Sequence, residues 1–196
     1  MILRDLRPEE LPAAAVVLGD GMRDNPLHVR VFGDDPAARE QALVRLFTAA
    51  IARVGSRGFV EGAFVDNRLV AVCGRTPPGK CRFSFFEKMK ALPAMLEGNP
   101  AAVVSRIMTW VNAWTKEDPD TPHWHLGPVA VLRPQQAKGI GGMLLKSFTA
   151  KMDEAKAAAY LETDKESNVG FYEREGFRVV GRKNVIDVPC WFMSRQ

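Results

Sequence analysis

Val129-Ala130-Val131-Leu132-Arg133-Pro134-Gln135-Gln136-Ala137-Lys138-Gly139-Ile140-Gly141-Gly142-Met143-Leu144-Leu145 is the stretch that decides how this chain is read. An apolar strand enters a polar loop, and Gly139, Gly141 and Gly142 stand on the threshold of an amphipathic helix. The first turn of a helix has amides without intrahelical acceptors and a partial positive charge. Glycine lets a bulky anion approach that backbone closely, and Lys138 adds a cation nearby. The segment therefore reads as a phosphate site. A dinucleotide fingerprint would need a glycine where Leu144 stands, and a nucleoside-triphosphate loop would need Gly-Lys-Ser or Gly-Lys-Thr where Gly142-Met143 stands. A glycine-rich turn that only packs closely is the alternative.

Working outward, residues 123–132 read as a strand leading into the loop, and residues 139–157 as a helix whose buried face carries Ile140, Met143, Leu144, Phe148, Met152 and Ala155. Residues 160–163 form a short strand, 169–175 a short helix closed by Gly176, and 177–188 and 189–194 the last two strands. Upstream, Ile2 to Leu6 alternates as a strand does. A helix opens at Pro8 and ends near Leu18 at Gly19-Asp20-Gly21. Residues 25–36 are turn-rich, and residues 37–54 are an amphipathic helix closed by Gly55. Residues 58–65 and 68–75 form a hairpin around Asp66-Asn67. Residues 83–118 read as two or three short helices, an insertion rich in aromatic residues and methionine. The expectation is an α/β fold: one domain over residues 1–196, a mixed sheet covered by helices.

Composition sets the bounds. With 46% hydrophobic and 26% charged residues the chain is an ordinary globular mixture. The net charge of +4 is spread without a basic run, so no nucleic-acid partner is expected. The first residues show no charged region followed by an apolar run, and no segment offers the roughly 20 apolar residues of a membrane helix. A cytoplasmic protein without a membrane partner is expected. Cys73, Cys81 and Cys190 have neither disulfide nor zinc-site spacing and read as reduced, structural residues. No metal is expected. Cys190 as a nucleophile lacks a neighbouring partner in sequence.

Two motifs carry a resemblance. Gln136-x-x-Gly139-x-Gly141, in its strand-loop-helix setting, resembles the Gln/Arg-x-x-Gly-x-Gly/Ala signature of the GCN5-related (GNAT) acetyltransferases. Asn168-Val169-Gly170-Phe171-Tyr172-Glu173-Arg174-Glu175-Gly176-Phe177 resembles the Asn-x-x-x-Phe-Tyr-x-x-x-Gly-Phe segment that follows the fifth strand in that family. The likeness is strong over residues 123–181 and weakest between 76 and 120. It implies the GNAT fold, with strands four and five splayed apart and a helical insertion between strands three and four. It also implies acetyl-CoA as acyl donor, with the pyrophosphate on Gln136, Ala137, Lys138, Gly139, Ile140, Gly141 and Gly142. Gly127-Pro128 inside strand four fits independently, because proline cannot donate to a central ladder and a bulge there would break pairing. The backbone of Val129, Ala130 and Val131 would then line the slot for the pantetheine arm.

The resemblance makes Tyr172 the general acid for the leaving thiolate, and Asn168 a cofactor contact. Asn168 also suits a helix N-cap. A tyrosine simply packed beside Phe171 and Phe177 is the structural alternative. For the base, Glu162 on strand five and His125, which shares a face of strand four with His123, both qualify. Phe83, Phe85 and Phe86 are the candidate substrate contacts. The implied reaction is direct acetyl transfer to a primary amine of a small molecule, by a monomer or homodimer. A non-catalytic acyl-CoA sensor and a protein N-acetyltransferase are the alternatives.

Overall fold

Within a computed structural model, residues 1–82 and 98–196 are described. Strands β1 (Ile2–Asp5), β2 (Phe59–Val65), β3 (Arg68–Thr76), β4 (Trp124–Val131), β5 (Ala159–Thr163), β6 (Arg178–Val185) and β7 (Val188–Arg195) form one sheet in the order β1-β2-β3-β4-β5-β7-β6. Their neighbours are antiparallel except β4 and β5, which are parallel. A parallel pair needs a crossover, and helix α5 (Ile140–Ala155) supplies it. This is the expected mixed α/β architecture of the GNAT fold.

Helices cover both faces. On one, α5 buries Leu144, Leu145, Phe148 and Met152 against Ala71, Leu126 and Leu161. On the other, α1 (Leu11–Met22) and α3 (Pro36–Arg57) pack Leu18, Leu43 and Ile51 on Val60 and Val72. Beside them α2 (Pro26–Phe32) and α4 (Ala101–Glu117) set Leu27, Ile107 and Trp110 over Tyr160 and Phe192.

The β2–β3 hairpin turns at Asp66 and Asn67, with φ of 48° and 59°. Two successive left-handed residues are what a tight hairpin asks for, and Asp and Asn accept that conformation better than most.

Several boundaries differ from the sequence reading. Gly19 and Gly21 do not end α1; they lie inside it. A Cβ on Gly19 would meet Val44 Cγ2 at 2.5 Å, and one on Gly21 would meet the Val131 carbonyl oxygen at 2.5 Å. These glycines let α1 touch α3 and the end of β4, so they are packing devices rather than stops. Residues 26–32 are helical, because Pro26 occupies a first-turn position where its missing amide costs nothing. Gly55 also lies within a helix, for α3 runs on to Arg57 and is capped by Gly58. Of the two or three short helices expected over residues 83–118, α4 is one, of 17 residues, and residues 83–97 lie outside the described residues. The last hairpin turns at Ile186-Asp187, with positive φ at both, so β6 ends earlier than its apolar pattern suggested.

Candidate active site

Strands β4 and β5 pair only at Trp124↔Ala159 and His125↔Tyr160. Beyond that point they diverge, although β4 stays bonded to β3 through Cys73↔Val129, Val72↔Ala130 and Ala71↔Val131. The register shifts between Cys73 and Arg75, opposite Gly127-Pro128, which is the bulge expected from a proline inside the strand. Gly74 makes this possible: a Cβ there would lie 2.5 Å from the Gly127 carbonyl oxygen. Among the described residues the β5-facing edge of Val129, Ala130 and Val131 has no strand partner, a slot where an extended amide-bearing chain can bond the backbone.

The glycine loop lies past the end of that slot. Gly139 has φ of +80° and Ala137 +60°, and nothing lies within 4 Å of where a Gly139 Cβ would stand. The Met143 amide bonds the Gly139 carbonyl at 3.1 Å. The amides of Ile140, Gly141 and Gly142 precede it and have no acceptor within the helix. Gln136 turns inward, its Nε2 donating to the carbonyls of Val131 at 2.9 Å and Gly21 at 3.1 Å. Its side chain fixes the loop, leaving backbone amides to face an anion. Lys138 is exposed and donates to Gln135 Oε1 at 3.1 Å. An open, amide-lined cradle at the end of a strand slot fits a pyrophosphate with an extended arm, the shape of coenzyme A.

The slot opens into a cavity of about 940 Å³ between α3, α4, β4 and β5. Phe47, Ile107, Trp110 and Trp114 give it apolar walls, and Asp118, His125, Glu162 and Tyr172 supply polar groups. Tyr172, on α6 (Val169–Glu173), belongs to the core cluster on the α5 face yet also lines this cavity. It therefore reaches through the gap between the splayed strands. Phe171 and Phe177 meet its ring edge-on at 5.1 and 6.0 Å. Burial raises its phenol well above the usual tyrosine value, with Cys73 and Asp164 adding to the effect. The group is thus in the proton-donating form. Asn168 lines the same cavity but makes no side-chain cap to α6, so the cap expected from its type is not formed.

The two candidate bases meet. His125 Nε2 lies 3.1 Å from Glu162 Oε2, and the Glu162 side chain is buried. Burial opposes a charge on His125, but Glu162 and Asp118 outweigh it and raise the imidazole pKa well above its usual value. Sequence reasoning missed the groups behind this pair. His123 Nε2 lies 3.4 Å from Asp118 Oδ1, and Cys81 Sγ lies 3.9 Å from His123 Nε2. Burial of Cys81 is outweighed by hydrogen bonds with His123 and His125, which bring its thiol down to about 7. Asp118 was visible only as a helix-end signal and Cys81 only as a small apolar residue, because three separate segments bring these groups together. Phe83, Phe85 and Phe86 lie outside the described residues.

Known proteins share both sequence pattern and fold. The sequence model of the Acetyltransferase (GNAT) family matches residues 27–177. A structure described as a histone acetyltransferase and related acetyltransferase from Corynebacterium glutamicum superimposes with a TM-score of 0.73 at 22% identity, covering 98% of this chain and 94% of that one. An agmatine N-acetyltransferase gives 0.63 at 11% identity over 98% and 97% of the two chains. The PaiA N-acetyltransferase of Thermoplasma acidophilum, solved with coenzyme A, gives 0.58 at 14% identity over 100% and 98%. With the family pattern spanning most of its length on this fold, the chain belongs to the GNAT acetyltransferase family, whose acyl donor is acetyl-CoA.

Proposed function

We propose that this acetyltransferase acts on the primary amine of a small molecule, by direct transfer while donor and acceptor are bound together. The observation that carries the reading is the Glu162–His125 pair, which stands in the same cavity as Tyr172. Phe47, Ala50 and Val54 of α3 and Ile107, Trp110 and Trp114 of α4 give the cavity apolar surface, Arg53 and Arg57 of α3 also line it, and Asp118 and Glu162 supply carboxylates. Such a site suits an ammonium group on an apolar body: carboxylates attract the cation, and the walls cover the rest. The agmatine acetyltransferase among the structural neighbours is named for a small primary amine.

The donor supplies an acyl thioester, whose carbonyl becomes reactive once an uncharged amine is held against it. Ile140, Gly141 and Gly142 hold the pyrophosphate by their amides, Ala137, Lys138 and Gly139 shape that loop, and the open edge of Val129, Ala130 and Val131 aligns the arm. Asn168 borders the arm's exit into the cavity. Glu162 removes the amine's proton, and His125, bonded to its Oε2, holds the carboxylate in place. Tyr172, on the opposite side of the gap, delivers a proton to the departing sulfur.

The test is release of free thiol from acetyl-CoA across a panel of amines, polyamines and peptide amino termini. Turnover on small amines, with saturation in both substrates and no acetylated enzyme trapped in the amine's absence, supports the reading. Turnover confined to peptides overturns the acceptor assignment. Binding of acetyl-CoA with no turnover on any acceptor favours a sensor.

A further inference from the structure

Four metal-ligating side chains converge where the end of the β3 loop, the end of α4 and the start of β4 meet. Cys81 Sγ, an oxygen of Asp118, and one ring nitrogen each of His123 and His125 all lie within 4.8 Å of one another. Three of the six separations are 3.9 Å from Cys81 Sγ to His123 Nε2, 3.4 Å from His123 Nε2 to Asp118 Oδ1, and 3.7 Å from His125 Nδ1 to Asp118 Oδ2, the other carboxylate oxygen. Ligands at the usual zinc bond lengths of about 2.0–2.3 Å stand roughly 3.3–3.8 Å apart along the edges of a tetrahedron. The three shortest pairs already stand near that figure, and the widest allowed by the 4.8 Å bound would close by about 1 Å on binding an ion.

Each imidazole is already oriented for the task. His123 donates from Nδ1 to the Thr121 carbonyl at 2.7 Å, which leaves Nε2 with a lone pair facing the cluster. His125 has Nε2 against the Glu162 carboxylate at 3.1 Å, which leaves Nδ1 facing the cluster. A carbonyl or carboxylate behind the far nitrogen is the usual support of a metal-bound histidine. The atoms aimed inward are, by contrast, short of partners: among the described residues, Asp118 Oδ1 and His125 Nδ1 are buried and make no hydrogen bond. Buried polar atoms are nearly always satisfied, so such a pair facing one point asks for a ligand. Among the described residues Arg82 borders the cluster without filling it, with Nε 3.5 Å from Asp118 Oδ1 while its Nη1 is committed to Asp120 at 2.8 Å.

We propose that Cys81, Asp118, His123 and His125 form a tetrahedral site for a divalent transition metal of zinc type. A thiolate, a carboxylate and two imidazoles suit zinc or cobalt rather than magnesium or calcium, and the two anionic ligands neutralise a dication. All four positions are filled by protein, so the site is structural. It ties both ends of the segment between β3 and β4 to the strand that carries the active-site slot. Through His125 it also sets the orientation of Glu162. The absence of a sequence signature has a simple cause: the ligands come from three segments, and only His123-x-His125 is local.

The test uses the full chain, stripped with a chelator and titrated with cobalt(II). Binding of one equivalent, with a sulfur-to-cobalt charge-transfer band and intense visible bands of tetrahedral cobalt, is expected. Zinc should displace the cobalt and raise Tm, as any ligand specific for the folded state must. Cys81→Ser should abolish the charge-transfer band, and His123→Gln should weaken metal binding at least 10-fold. Cys73→Ser and Cys190→Ser should leave the spectrum intact. A wild-type chain that takes up no cobalt with a thiolate band overturns the proposal, as does a band that survives Cys81→Ser. If a variant fails to fold, the wild-type titration alone decides.

Discussion

His125 Nε2 stands 3.1 Å from Glu162 Oε2 across the last paired position of the splayed strands. The relation follows from register: His125 faces Tyr160 on β5, and Glu162, two residues on, projects to the same side. The imidazole ring also meets Tyr160 edge-on at a centroid distance of 5.8 Å. The carboxylate is therefore fixed where pairing ends and the slot begins. Glu162→Gln keeps the shape and the contact with His125 but cannot accept a proton. Turnover is expected to fall about 10²-fold or more, with acetyl-CoA affinity unchanged by calorimetry. A variant with full kcat at saturating amine would remove Glu162 from the reaction.

Tyr172 gives an independent prediction on the other side of the gap. Its phenol is held protonated by burial, so the hydroxyl can donate to a leaving thiolate but contributes little to cofactor binding. Tyr172→Phe retains the ring contacts with Phe171 and Phe177, and the fold should be preserved. We expect kcat to drop by roughly 10²-fold while the Kd for acetyl-CoA moves less than threefold. Equal losses in kcat and in cofactor affinity would make it a binding residue instead.

The glycine cradle separates folding from binding. A Cβ at Gly141 would meet Val131 Cγ2 at 3.5 Å and Phe171 at 3.8 Å, ordinary contacts that the fold tolerates. Gly141→Ala should therefore fold with a Tm near that of the parent. Gly141→Glu places a carboxylate among the amides at the start of α5, the place proposed for the donor's pyrophosphate. Binding of acetyl-CoA should be lost in a folded protein, read by calorimetry alongside circular dichroism. Unchanged binding would move the phosphate site elsewhere.

How much of this was legible in the sequence depends on how local the signal is. The strand-loop-helix form around Gln136 to Gly142 could be read outright, because it is built from consecutive residues. The bulge at Gly127-Pro128 could be read for the same reason. Glycine was the ambiguous letter: Gly139 needs its positive φ, whereas Gly19 and Gly21 serve close packing inside a helix. The two uses differ only in what lies across the interface. Glu162 and His125 were legible as alternatives, but their pairing depends on strand register, which no single strand displays. Asp118 and Cys81 carried no signal until the chain brought them to His123.

Gly21 tests the packing argument directly. Its carbonyl accepts from Gln136 Nε2, and a Cβ would fall 2.5 Å from the Val131 carbonyl oxygen. The Cβ would meet the Val131 backbone and Ala130 Cβ rather than a flexible side-chain end, so Gly21→Ala must push α1 away from β4. Overpacking of this kind costs about 1–3 kcal/mol, to be read from urea midpoints. Because Val131 and Gln136 lead into the phosphate loop, acetyl-CoA binding should weaken as well. A variant as stable as the parent would show that α1 can shift freely.

His28 makes the pH dependence of stability predictable. It is buried against Phe47 and Trp110, with Nδ1 2.7 Å from the Met22 carbonyl oxygen. Burial lowers its pKa, and Arg39 assists, while Asp164 and the Met22 carbonyl oppose the shift without reversing it. The unfolded chain therefore takes up a proton near pH 6.5 that the folded chain still refuses. Stability from this residue is complete above that pH and is lost as pH falls towards the depressed folded value, by at most about 1.4 kcal/mol per pH unit. Urea unfolding between pH 8 and pH 5 should show this slope beyond that of His28→Gln, whose side chain does not titrate. Parallel profiles for parent and variant would mean that His28 is protonated as easily in the folded protein as in the unfolded one.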